Sequence, residues 1–524
     1  MPFLRIKFVW LPLVLLTIYS CSNSTIDELV AGDRQHSVEE NEVKSNSGSA
    51  LIKNFSFLKS QNANKLLFDI PCETFKDSII ECFSKNILKD KHLVASFDFW
   101  GDSVVLLSND ERVDSEKRFV DFSKDVILTV IAKNRRKNYI VKLYPYTGLP
   151  FVFIETTDGK DVLNRTSKSA YVRFLDNPDN PILGEQLKCD VAGHGNSTWG
   201  LPKKPYSLKL EKKTSLLSFP PSKSWLLIAN HYDSTMVRNY IANYISSISK
   251  ISYTPKQHFI ELYLNGKYRG TYQLYEKVKV SQFRVNIEKN DFLLEVENHP
   301  RDKDVYFSVK HISRPVKIHS PDVLVDDENY KYINKILNDI DDVLFSKNFL
   351  DDYNGYKNYI DIDALVEWYV VTEITKNVSN INNWYMTYER DGMLKFGPFW
   401  DYDLAFGNTL WELKANETTD FWMNSLPWFE RFAMDPVFVQ KVKERFGYFY
   451  SKKNDILKKI DETALLLRTS VIYNDRLWNV FGCVDCSEGQ ILDLYDKHTM
   501  KMKNWLDARF EWLKNAFDHW NVSQ

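Results

Sequence analysis

The dominant hydrophobic spacing of this chain changes near Asp326, and that change limits the folds open to it. Up to about Asp326, apolar residues alternate with polar ones in short runs such as "KLLFDI", "DSVVLLS" and "YSLKLE". Period-two runs broken by turn residues make strands with one face turned inward. Beyond Asp326 the apolar residues recur three and four apart, as in "NYKYINKILNDIDDVLFS" and "MKNWLDARFEWLKNAF", which is helical spacing. Strands first and helices afterwards predict an α+β architecture. At 524 residues the chain also exceeds what one core normally holds. Three parts are expected: a small Ig-like β-sandwich over 51–146, closed by "TGLP" at 147–150, then a mixed lobe and a helical lobe within 150–520. A cleft between two such lobes is a common place for a ligand.

The composition narrows the class. Hydrophobic residues make up 44% and charged residues 26%, ordinary for a folded soluble body. A net charge of −2 gives no basic footprint for nucleic acid. Arg5 and Lys7 precede an apolar run from Phe8 to Ile18, which is short for a membrane span and reads as a secretory signal. It ends in "TIYSC", similar to a bacterial lipoprotein signal in which Cys21 would become the lipidated first residue. Residues 1–21 are thus expected to be a signal, and 22–50, rich in Ser, Asn and acidic residues, a disordered tether. The body would lie outside the cytoplasm, touching a membrane only through its lipid. The remaining cysteines, Cys72, Cys82, Cys189, Cys483 and Cys486, are odd in number and form no evident disulfide framework. "CVDC" at 483–486 suits a local disulfide or two separate thiols better than a metal site.

Several turns and caps can be placed. Asn265-Gly266 within "YLNGKYRGTYQLYEKV" and Asp391-Gly392 within "NNWYMTYERDGMLKFGPFW" mark hairpins. Ser234 is a candidate N-cap for a helix reaching Ile248, and Asp361 or Asp363 for the helix that ends near Asn377.

Three stretches could carry chemistry. In "FGPFWDYDLAFGN", Asp401 and Asp403 stand among bulky apolar groups, where ionised side chains are costly unless something balances them. With Asn383 at the other mouth of the same hairpin they could hold Mg²⁺ or Mn²⁺, which prefer oxygen ligands. The plainer alternative has Asp401 capping a turn and Asp403 pairing with a buried arginine. In "GHGNSTWGLPKKPYSLKL", 193–210, the backbone about Gly195 and Asn196 could approach an anion. One of Lys203, Lys204 or Lys209 could then meet phosphate, or all could be solvated. Neighbouring Lys203 and Lys204 point opposite ways on an extended segment. Glu276 could pair with one of these lysines or stand exposed, whereas Asp233 and Arg238 read as a structural pair.

Taken together, "GHGNSTWGLPKKPYSLKL", "WLLIANHYDSTMVRN", "YLNGKYRGTYQLYEKV" and "GPFWDYDLAFGN", in this order, resemble the CotH family of spore-coat-type, kinase-like proteins. The resemblance covers roughly 150–520. The sandwich and lipoprotein start look like exported relatives from Bacteroidetes-type bacteria, anchored at the outer membrane or cell surface. It implies a two-lobed protein-kinase-like fold, ATP with Mg²⁺ or Mn²⁺, and phosphoryl transfer to protein Ser or Thr, with the acceptor protein unspecified. It also implies Asp401, Asp403 and Asn383 as the metal side of the site, and Gly195, Asn196, Lys204, Lys209 and Glu276 as the nucleotide side.

Two departures from the family pattern bear on activity. His194 stands where relatives carry Arg between the glycines, and Ser379 stands where an aspartate would orient the acceptor hydroxyl. A positioned base contributes roughly 10²- to 10⁴-fold, while electrostatic clamping carries most of a phosphoryl transfer. Reduced or lost transfer with nucleotide binding retained is the expectation. The alternative is a non-catalytic surface-binding or scaffold lipoprotein.

Overall fold

A computed structural model describes residues 51–520, apart from 76–77, 87, 89, 101–103, 133–134, 177–184, 299, 301–303 and 410–411. The signal, the tether and Cys21 lie outside the described residues.

The chain is mixed α+β, with its strands concentrated in the first half and its long helices in the second. The N-terminal strands form a sandwich-like layer about a core of Phe57, Phe97, Phe122, Leu128 and Tyr139. Strand Ile79–Ser84 pairs with Arg135–Pro145 in parallel, and Cys72 lies directly across from Cys82 and is disulfide-bonded to it. A second disulfide joins Cys483 to Cys486, and Cys189 is buried and free. The expectation that the scattered cysteines form no disulfide framework is therefore corrected for this pair: the register of neighbouring strands brings Cys72 and Cys82 together.

A closed seven-stranded barrel follows, which alternation alone did not reveal. Phe151–Thr156 closes it by pairing in parallel with Gln257–Leu264. The hairpin turns at Asn265 and Gly266, both at positive φ, with Leu264 opposite Lys267. That is the two-residue geometry that suits strand twist. Barrel and sandwich share an apolar seam of Phe83, Tyr144, Phe151, Phe153 and Tyr263. Beside it Arg173 grips both oxygens of buried Glu81 at 2.7 Å.

The remaining strands make a five-stranded sheet, ordered Tyr306–Phe307, Val316–Ser320, Phe292–Val296, Trp384–Tyr388 and Leu394–Phe396. Helix Ile362–Thr375 packs behind this sheet and is apolar nearly all round, the mark of a central helix. Asp361 caps it, accepting from the amides of Asp363 and Ala364. Lys376 ends it in the left-handed conformation. Helices Pro436–Ser451, Lys453–Trp478 and Glu488–Asp518 complete the body. Fully buried Arg509 bonds the carboxylate and carbonyl of Glu373 and the carbonyls of Thr418 and Asp420, fastening the last helix to the central one. Among the described residues no helix is long and apolar enough to cross a membrane.

The helix after the barrel's fifth strand spans Arg238–Ser247 and is not capped by Ser234. Ser234 instead bonds His498. Asp233 takes the capping role: its carboxylate accepts from the amides of Thr235 and Arg238 and from the Arg238 guanidinium.

Candidate functional site

Between the barrel and the five-stranded sheet lies a cavity of about 620 Å³, within the range of small-molecule sites. Its barrel side is the loop after strand Leu187–Gly193, and tight packing dictates the glycines there. A Cβ on Gly193 would stand 2.6 Å from the Trp199 ring. Gly195 has φ +81°, and a Cβ there would collide with Thr198 Oγ1. Arg165, from the connection between strands Phe151–Thr156 and Lys168–Leu175, donates to the Gly195 carbonyl and lines the cavity beside His194 and Asn196. A guanidinium therefore reaches this loop even though position 194 is histidine.

The opposite side is built by one face of the sheet. Glu295 pairs with Lys317 on one side and Tyr385 on the other. By alternation Glu297 and Asn383 extend the same face, and both line the cavity. The segment after the last strand crosses beneath. Asn377 Nδ2 donates to the Asp401 carbonyl at 2.8 Å, and Asn239 Oδ1 accepts from the Tyr402 amide at 2.8 Å. Asn408 Nδ2 donates to the Asp403 carbonyl at 2.7 Å. These bonds hold Asp401 at φ +65°, a conformation few non-glycine residues adopt.

Of the residues expected at the site, Gly195, Asn196, Ser379, Asn383, Asp401 and Asp403 line this one cavity. Lys204, Lys209 and Glu276 do not. Lys204 Nζ donates to the Trp199 carbonyl at 2.7 Å, and Lys209 is exposed on the barrel. Lys203 faces inward instead, bonding the Thr271 carbonyl and Asn474 Oδ1, and burial pushes its pKa down to about 7. Glu276 pairs with no lysine side chain among the described residues: it is buried, ion-paired with Arg284 at 3.5 Å, and accepts from the Tyr253 hydroxyl and the Lys256 backbone amide. Arg284 on the following loop was nearer than any lysine of the Gly-rich stretch.

The electrostatics set the acidic pair apart. Burial raises Asp401 to about 6, helped by Glu295 and Glu297, while the Ser379 hydroxyl acts the other way by hydrogen-bonding it. Asp403 is raised by burial, by Asp401 and by Asp233. Neither carboxylate has an ion-pair partner among the described residues, so the arginine-paired reading of Asp403 does not hold. Asn383 Oδ1 is buried without a hydrogen bond, as are Asn230 Nδ2 and His231 Nδ1 on the barrel side. Two raised carboxylates and an orphaned amide oxygen fit a hard divalent cation that takes its other ligands from water or phosphate. Among the described residues no group of three or more His, Cys, Asp or Glu is placed to hold a metal ion by itself.

The sequence reading missed Arg165, Asn230, His231, Glu295, Glu297, Lys317 and His319, all of which line the cavity. Two acidic residues alternating through "LLEVEN" in a strand otherwise buried were the readable signal.

The model of the CotH kinase protein family matches residues 191–513, more than half of the chain. No curated protein matches the chain significantly. Among solved structures, the chain is similar to a protein from Bacteroides thetaiotaomicron described as a candidate glycoside hydrolase. The identity is 14%, the match covers 56% of this chain and 88% of that one, and the TM-score is 0.19.

Proposed function

The chain belongs to the CotH kinase protein family, and from that premise we propose that it binds ATP with Mg²⁺ or Mn²⁺ in this cavity. Barrel and helical body are read as the two lobes of a kinase-like fold. The reaction proposed is transfer of the γ-phosphoryl group to a serine or threonine hydroxyl of a protein, outside the cytoplasm, with Cys21 carrying the lipid anchor. One observation carries the reading: Asp401, Asp403 and Asn383, whose buried side-chain oxygen has no hydrogen bond, line a single cavity together with the Gly193–Gly195 loop.

Each part has a task. Asp401, Asp403 and Asn383 would hold the cation, whose charge offsets that of the phosphates and the acidic pair. The loop about Gly195 and Asn196 would pass close to the phosphates, with Arg165 beside it. Lys203, on its buried network, ties the end of that loop to the barrel and to helix Lys453–Trp478. Ser379 favours a slow enzyme: its hydroxyl is engaged with Asp401 and is far too weak a base to take a proton at neutral pH. The same observation favours the second reading, a nucleotide-binding surface scaffold.

A thermal shift separates these from unrelated binding. Stabilisation by ATP and Mg²⁺ together, by neither alone, and not in Asp401→Ala is the expected result; no shift in the wild type would reject the reading. Ser379→Asp should raise transfer if position 379 limits it. Mass spectrometry of the mature N-terminus tests the lipid on Cys21.

A further inference from the structure

The carboxylates and Ser379 leave open which group removes the proton from the acceptor hydroxyl. On the sheet side of the cavity, His319 and Glu295 form a hydrogen-bonded pair: Glu295 Oε2 accepts from His319 Nε2. Glu295 is 4% exposed, and the Tyr385 hydroxyl also bonds it. Its carboxylate is therefore held from two sides. His319 lies against the Tyr385 ring, with centroids 5.5 Å apart, and lines the cavity with Asp401 and Ser379. Strand pairing places it there. Lys317 is opposite Glu295, and the register slips by one residue between Leu293 and Leu294, leaving His319 as the extra residue of a bulge. Bulges of this kind re-aim side chains beside active sites.

Resting on the function proposed above, we propose that His319, oriented by Glu295, is the general base for the acceptor hydroxyl. A carboxylate on Nε2 fixes that nitrogen as the donor and leaves the lone pair on Nδ1, which has no partner among the described residues. This is the base-plus-orienting-acid arrangement that activates weak nucleophiles. The hydroxyl proton passes to Nδ1 as its oxygen forms the new bond to the γ-phosphorus. The bond from that phosphorus to the bridging oxygen breaks, and its electron pair leaves with the nucleoside diphosphate. The imidazolium that forms is offset by Glu295. Of the other charged groups on this face, Lys317 pairs with Asp304 at 3.0 Å, Glu297 acts on Asp401, whose carboxyl it helps to raise, and Asp401 and Asp403 would hold the cation. His231, an imidazole on the barrel side of the cavity, has no orienting carboxylate among the described residues and lies near Lys203 and Lys204.

The full chain with Mg²⁺ and ATP, water serving as the acceptor, provides the test. His319→Gln should lower kcat for phosphate release by about 10²- to 10⁴-fold with the KM for ATP unchanged. Added imidazole should restore part of the rate to His319→Gly, and Glu295→Gln should lower kcat in a chain that retains the ATP–Mg²⁺ thermal shift. If a His319 variant does not fold, the Glu295→Gln rate decides. A wild type that binds ATP–Mg²⁺ and releases phosphate, with variants equally fast, overturns the role of His319 and leaves the nucleotide site standing. A wild type that binds and releases no phosphate overturns it as well. A wild type that does not bind ends both proposals.

Discussion

Replacing Asp401 by asparagine should make the unliganded protein more stable near neutral pH, and the size of the effect can be worked out. Its carboxyl titrates at about 6 instead of the ordinary 3.8. At about 1.4 kcal/mol per tenfold change, keeping it ionised costs roughly 3 kcal/mol, an upper figure because part of the group meets water in the cavity. Between pH 4 and 6 the folded chain holds a proton that the unfolded chain releases. Stability therefore falls as pH rises through that window and stays lower above it. The asparagine amide cannot ionise, and Asp403 loses a repelling neighbour. At roughly 2 cal/mol/K per residue over the about 370 residues of 150–520, Asp401→Asn should raise the melting temperature at pH 7.5 by up to about 4 °C. The two proteins should converge near pH 4. Calorimetry without divalent cation measures this, and adding Mg²⁺ with ATP should reverse the order by stabilising only the wild type. An Asp401→Asn variant less stable than wild type at pH 7.5, or a difference indifferent to pH, would refute the assignment of Asp401 as an uncompensated charge.

Gly195→Val forces a branched side chain onto φ +81° and against Thr198; of order 1–3 kcal/mol of strain should appear as weaker ATP–Mg²⁺ binding in titration calorimetry. Arg509→Met leaves the buried Glu373 carboxylate without its ion-pair partner, held only by the Trp422 and Met423 amides, so denaturant unfolding should show a loss of about 3–5 kcal/mol, partly recovered when Glu373→Leu is added. Glu276→Gln should lower stability by loosening Arg284 and leave ATP–Mg²⁺ affinity unchanged, since Glu276 lies off the cavity. A marked loss of affinity would show that this carboxylate reaches the ligand.

Local patterns in the sequence announced much of this. Asn265-Gly266 turns as its residues require, because both adopt positive φ, and Asp361 caps the central helix. The co-location of Asp401, Asp403 and Asn383 followed from placing them at one end of a hairpin, and Ser379 was added to them by the family resemblance. What stayed hidden depended on contacts between distant segments. Asp233 displaced Ser234 as the cap because its two oxygens reach both the Thr235 amide and the Arg238 amide and guanidinium. Which lysine turns inward was decided by Asn474, more than two hundred residues later, which bonds Lys203. The Cys72–Cys82 bridge needed the strand register. Arg165 arrives from a connection with no motif of its own. His319 depends on a one-residue bulge, which no periodicity reports.

At the centre stands the acidic pair, gripping a cation together with nucleotide phosphates. Electron paramagnetic resonance of Mn²⁺ measures this directly. The sharp signal of free Mn²⁺ should be lost when wild type and ATP are both present, to a degree ATP alone does not produce, and Asp401→Ala and Asp403→Ala should restore it. A signal that the wild type leaves unchanged, or that both alanine variants suppress equally well, would contradict it.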